Sequence, residues 1–223
     1  IKVAYNPIKR ERKIYYFDEI NNEDFKNFGY LINVEVAEML YYNNVLLIEG
    51  DSEKYFYSLL MSKHNEFCNE INKKRFGICA VDGIAFKTIK ELLEKLGINV
   101  FIKTDNDIFK VPRREEYRYA GLERCIQFLN DDAKEKLKKL LNVEELEFRF
   151  TNIEKKLDVV ENNIEDICNL LKENRIIFSH HNDGFEEDFI GYIKLNSNNT
   201  VTDEAIDFLK KAKLKNLHYF INE

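Results

Sequence analysis

Glu49, Asp105 and Asp107 are the residues whose types and spacing point most directly to chemistry. Glu49 follows the apolar run VLLI, where an ionised carboxylate is costly to bury unless it faces a metal, a cation or water. Asp105 and Asp107 stand in IKTDND. Along an extended segment, alternation turns both to one side with Asn106 opposite, so both carboxylates can face one divalent ion. Glu53 lies four residues after Glu49, close enough through a first helical turn to join the same group. Hard oxygen donors favour Mg²⁺ or Mn²⁺ over zinc, which recruits His or Cys. One or two such ions would activate a water and stabilise the leaving oxygen of a phosphodiester. Read singly the signals are weak, because a lone DxD is commonly a turn pair and a lone glutamate an ordinary ion-pair partner. Their joint position at successive strand ends is what favours a metal site.

The elements that must position these acids alternate from about residue 45 to 110. VLLIEG reads as a strand buried on both faces, as in a parallel sheet. DSEKYFYSLLMSKHNEF reads as a helix with Asp51 or Ser52 as its N-cap. FGICAVDG is a second strand carrying Asp82, and AFKTIKELLEKLG a second helix closed by Gly97. NVFIKTDND, residues 99 to 107, is a third strand. RIIFSHH, 175 to 181, returns as a fourth and is followed by the acids of FEEDF. The expected fold is α/β, with a roughly four-stranded, mostly parallel sheet flanked by helices. In such a sheet ligands bind at the carboxyl ends of the strands, where these acids fall.

Outside that frame, YLINVEVAEMLYYNN has helical spacing before the first strand, and TDEAIDFLKKAKLKNLHYFI reads as a terminal amphipathic helix. Residues 1–40 are expected to be a strand or linker at the end of a preceding domain, and 41–223 the domain proper. Charged segments between about 114 and 174 read as a helical insertion whose lysines, interleaved with acids, make a solvated surface. Arg113, Arg114, Arg118 and Arg124 either hold phosphates or pair with acids such as Glu115 and Glu116. His180 and His181 read as a strand end more readily than as a catalytic pair.

The 223 residues carry a formal net charge of −6, so any polyanion contact must be local. The four cysteines are far apart, without a CxxC pair, and read as reduced thiols rather than a zinc ribbon. No apolar run approaches a membrane span and no signal-peptide pattern opens the chain, so a cytoplasmic protein without membrane contact is expected. The chain opens on Ile1, which suggests the C-terminal piece of something longer.

LLIEGDSEKYF together with AVDGIAFKTIKELLEKLGINVFIKTDND, YAGLER, GFEEDF and LKKAKLKNLHYF resembles the Toprim domain of the overcoming-lysogenization-defect (OLD) family, which includes the nuclease subunit of Gabija anti-phage systems. The resemblance implies a Toprim fold and a divalent-metal-dependent DNA endonuclease acting in antiviral defence. Matched residue by residue, it implies metal ligation by Glu49, Glu53, Asp105 and Asp107, then by Glu186 and Asp188 for a second ion. Lys213 matches a lysine that stabilises the transition state, with Lys211 and Lys215 as neighbouring alternatives. Gly184 stands where the family often has an acid, so the second ion would depend on Asp183, Glu187 or fewer ligands. The family also implies an ABC-type ATPase domain, although no GxxxxGK[ST] occurs here, and homo-oligomers with a helicase-like defence partner. Two other readings stay open: a primase- or topoisomerase-like enzyme on the same scaffold, and a non-catalytic metal-binding interaction module.

Overall fold

The computed structural model describes residues 2–6, 11–15, 34–63, 69, 75–81, 86–151 and 153–179. Asp82, His180, His181, the FEEDF segment, Lys213 and the expected terminal helix lie outside the described residues, as does Cys68. The chain divides into two compact units, 1–102 and 103–223.

In the first unit β1 (Lys2–Asn6) and β2 (Glu11–Tyr15) pair antiparallel. The helix expected from Tyr30 is described from Val34. That part, α1 (Val34–Glu38), tightens into a 3₁₀ turn over Met39–Tyr41. Asn43 and Asn44 then donate their backbone N–H groups to Arg75 O, which draws the chain into the sheet before the helix can lengthen.

The sheet strand β3 (Asn44–Ile48) pairs parallel with β4 (Phe76–Ala80) on one side and β5 (Asn99–Thr104) on the other. Leu47 is opposite both Cys79 and Ile102. All four residues of the VLLI run are buried, as a strand covered on both faces requires. Each strand is shorter than its expected span: Glu49 is the first residue past β3, and Asp105 the first past β5. Burial pushes the Cys79 thiol up to about 11, so it remains a neutral core group.

Helix α2 (Asp51–Lys63) follows β3, and α3 (Phe86–Lys95) follows β4. Phe86, Ile89, Leu92 and Leu93 form the buried stripe of α3, the spacing of one helix face. Its C-terminus closes as a Schellman motif. Gly97 adopts φ +70° and donates to Glu94 O at 2.9 Å, while Ile98 donates to Leu93 O at 3.0 Å. The ring of Tyr15 lies where a side chain on Gly97 would have to go.

Strand β5 carries the chain into the second unit at Lys103. There β9 (Ile176–Phe178) lies beside its end, Ser179 N donating to Thr104 O at 3.3 Å, which completes the order β4-β3-β5-β9. The segment expected to be a helical insertion contains α4 (Ala120–Ile126), α5 (Asp131–Leu141), α6 (Ile153–Asn162) and α7 (Ile164–Glu173). It also contributes β7 (Tyr117–Tyr119) and β8 (Arg149–Phe150) to an antiparallel sheet whose first strand, β6 (Ile108–Lys110), lies just before it. These strands are two or three residues long and rich in charge, so they leave no readable period. Leu122, Cys125, Leu137, Ile167, Leu171 and Ile176 centre the core of this unit. No helix of the described residues is long and apolar enough to cross a membrane.

Replacing Gly97 by Ala forces a side chain into the left-handed region and against Tyr15. The expected outcome is a loss of more than about 1 kcal/mol in urea denaturation, whereas an exposed site such as Lys87 should tolerate Ala within about 0.5 kcal/mol.

Candidate active site

In the first unit, Glu49 and Gly50 form the bend between β3 and α2, and Glu49 is half-buried. Glu53 turns back toward this bend: its Oε2 accepts the backbone N–H groups of Glu49 at 2.8 Å and Gly50 at 3.3 Å. Glu53 is the third residue of α2, so this is the carboxylate half of a capping box, satisfying donors that the helix start leaves over. Asp51 and Ser52 are already helical, which corrects the expectation that one of them is the N-cap. Glu53 is buried. Lys54, beside it, reaches back to Glu35 of α1 at 2.6 Å.

In the second unit Asp105–Asn106–Asp107, the short link between β5 and β6, is held from two sides. Lys103 is buried near the end of β5, where an ammonium group is tolerated only with close partners. Its Nζ donates to Asp105 Oδ1 at 2.9 Å and to Ser179 Oγ at 3.0 Å, and Ser179 Oγ donates to the same carboxylate oxygen at 3.2 Å. From the other side comes Arg124 of α4. Its Nε donates to Thr104 Oγ1 at 2.9 Å, and its Nη2 to Asp107 Oδ2 at 2.6 Å and Asp105 O at 3.3 Å.

Between the two aspartates Asn106 is buried, its Oδ1 accepting from the Tyr119 hydroxyl. Burial holds the Tyr119 phenol far above its ordinary range, outweighing the opposing effect of that hydrogen bond, so the hydroxyl stays protonated and donates. Gly121, at the start of α4, donates to Asp107 O at 3.2 Å. A Cβ there would meet the backbone of residues 105–107, so only glycine lets the helix approach the turn this closely.

Asp105 and Asp107 are both half-buried and Asn106 is turned inward. Within neither unit do three His, Cys, Asp or Glu side chains of the described residues gather to hold an ion. The aspartates lean instead on cations of the chain itself. The arginine group of the sequence divides accordingly: Arg124 serves the turn, Arg118 pairs with Glu123, and Arg114 lies 3.7 Å from Glu116. Lys103 and Ser179 were not singled out by the sequence, and Tyr119 and Gly121 stood there only within YAGLER, without a role. A lysine inside the apolar strand NVFIKT was the available signal for the first.

Residues 40–107 match the family model described as overcoming lysogenization defect protein-like, TOPRIM domain. Among individual proteins, it is 33% identical over 99 residues to Endonuclease GajA of Bacillus cereus (strain VD045). That stretch is 44% of this chain and 17% of the relative, so the match spans about a sixth of that protein. Two solved structures are also similar, the C-terminal regions of the OLD proteins of Burkholderia pseudomallei and Xanthomonas campestris pv. campestris. Each is 17% identical; 82% of this chain is covered in both, with 82% and 80% of the respective structures, at TM-scores of 0.38 and 0.37.

Tyr119→Phe removes the hydroxyl that Asn106 accepts while keeping the ring in the core. A loss of about 1–3 kcal/mol in chemical denaturation is expected, the cost of depriving a buried acceptor of its donor. An unchanged midpoint would show that the Tyr119–Asn106 bond does not support the turn.

Proposed function

We propose that the chain is the nuclease part of a divalent-metal-dependent DNA endonuclease of the OLD type, working in anti-phage defence in the bacterial cytoplasm. The observation that carries this reading is the 105–107 turn, where both carboxylates are held in place by buried or half-buried cations and the residue between them is locked inward. In support, the stretch matched by the OLD-like TOPRIM model includes Glu49, Glu53, Asp105 and Asp107, and a relative over part of the chain is named an endonuclease.

The residues suit Mg²⁺ or Mn²⁺. The proposed ligands are carboxylate oxygens, the donors a hard cation prefers, and the described cysteines are buried or half-buried in the two cores. Lys103 and Arg124 already pair with Asp105 and Asp107, so a divalent ion would have to share these carboxylates with them or use their other oxygens. Glu49, Asp105 and Asp107 would hold the principal ion together with Glu53, and Glu186 and Asp188 a second. When bound, the metal would activate a water and stabilise the leaving oxygen of the scissile phosphodiester.

The protein's own groups prepare that step. Lys103 and Ser179 fix one oxygen of Asp105, and Arg124 fixes the rotamer of Asp107, so the turn loses little freedom on binding. Both cations offset the charge that two aspartates would otherwise present to an approaching phosphate. Lys213 would add positive charge at the reacting group. DNA is the substrate in this reading, an ABC-type ATPase domain precedes the nuclease part, and self-association and a helicase-like partner complete the defence assembly.

Supercoiled plasmid incubated with the chain should be nicked or linearised in Mg²⁺ or Mn²⁺ and untouched in chelator. Loss of an outer-shell partner typically costs about 10–100-fold in metal enzymes, so Glu49→Ala and Asp105→Ala, which remove ligands, should lose at least about 100-fold. Cleavage by Asp105→Ala at the parental rate would contradict the assignment. Relaxation without nicks would favour a topoisomerase-like reaction in its place.

A further inference from the structure

The small antiparallel sheet of the second unit has two unlike faces. Its register pairs Ile108 with Tyr119, Lys110 with Tyr117, and Tyr117 with Phe150. Tyr119 belongs to the core, Ile108 and Phe150 pack against it, and the rings of Tyr117 and Phe150 stack at 6.5 Å. The opposite face is a row of one residue from each strand: Phe109 opposite Arg118, and Arg118 opposite Arg149. Phe109 is 44% exposed, Arg149 is exposed, and Arg118 is half-buried.

Stability alone does not account for this row. Like charges directly opposite on neighbouring strands are destabilising, and a large exposed aromatic beside them adds nothing to the core. Glu123 offsets part of the charge by accepting from Arg118 Nε at 2.5 Å. Arg149 has no carboxylate partner among the described residues. The turn joining β6 to β7 brings Arg113, in the left-handed region at φ +62°, and Arg114, both exposed, and Lys110 is exposed at the end of β6.

We propose that the row Phe109–Arg118–Arg149 is a binding surface for single-stranded DNA, with a base stacked on Phe109 and phosphates held by the two arginines. An aromatic face beside guanidinium groups is what an unpaired strand offers partners to, since every base has a stacking face and every phosphate accepts a planar fork of donors. An acidic peptide would satisfy the arginines but has no use for Phe109. Neighbouring strands lie about 4.8 Å apart, so the row is about 10 Å long and meets a short stretch of the strand.

The row also adjoins the proposed catalytic turn. Asn106 is buried and Ile108 packs on the core, so Asp105, Asp107 and Phe109 fall on the other side of the chain. Phe109 follows Asp107 by two residues, within about 7 Å along an extended strand. A strand laid on the row would therefore pass beside the two aspartates. The inference rests on the reading of the protein as a DNA endonuclease, but binding can be measured without cleavage.

The test is fluorescence anisotropy of a labelled oligothymidine of about 16 nucleotides with the full chain in chelator, where no cutting occurs. Arg149→Glu should weaken binding about tenfold and flatten the salt dependence by about one unit or more of slope. Phe109→Ala should weaken it about tenfold with the slope unchanged, and Phe109→Tyr should restore it, since loss of a stacking contact is not loss of charge. Thermal melts of all variants should match the parent. Parental affinity in both Arg149→Glu and Phe109→Ala would overturn the proposal, as would displacement of the oligonucleotide by polyglutamate at equal charge concentration. If the parent binds as described yet fails to cut in Mn²⁺, the endonuclease reading fails while the surface stands. If the parent cuts and these variants bind normally, the surface alone is wrong.

Discussion

A guanidinium group that bonds to three acceptors within four residues leaves those residues little conformational choice, and Arg124 does this to Thr104, Asp105 and Asp107. The second unit is organised around that contact. Gly121 lets α4 come close enough for Arg124 to reach, Tyr119 at the end of β7 fastens Asn106 inward, and Ser179 beyond β9 joins Lys103 on Asp105. Residues from β5, β7, α4 and the end of β9 therefore converge on one turn. Lysine would not substitute for Arg124, because a single ammonium lacks the fixed, planar spread of donors.

The same arrangement bears on chemistry. Two aspartates close together repel each other and any phosphate, and the chain answers with an internal cation for each. The buried Lys103–Asp105 pair carries a desolvation cost that a hydrophobic pair would not, which makes it weak evidence for stability and better evidence for a site where charge is required. In the first unit Glu53 has a structural task already, closing the start of α2 through two backbone N–H groups, and that task orients it beside Glu49.

Much of the scaffold was legible because it rests on local rules. VLLI reads as a doubly covered strand, the Phe86–Leu93 spacing as a helix face, and Gly97 as a helix stop, each decided within a few residues. The acids of the DxD pair were legible for the same reason. Their partners were not. Ser179 lies 74 residues from Asp105, and Arg124 lies 17 from Asp107 and offered several carboxylates nearer in sequence. Strands β6 to β8 escaped because pieces of two or three residues show no period, and what fixes them is tertiary: Tyr119 and Ile108 reaching the core of the unit. Glu53 was read only as a ligand because a capping box and a metal-binding acid use the same residue at the same spacing.

A divalent ion held by the carboxylates of Asp105 and Asp107, as proposed, would be seen in Mn²⁺ binding followed by electron paramagnetic resonance. The parent chain should bind Mn²⁺ saturably, with Mg²⁺ competing. Asp105→Asn keeps the shape but removes the charge, and should lose that binding while its thermal melt stays close to the parent's. Saturable Mn²⁺ binding of parental affinity in Asp105→Asn, or none in the parent, would show that these carboxylates hold no such ion.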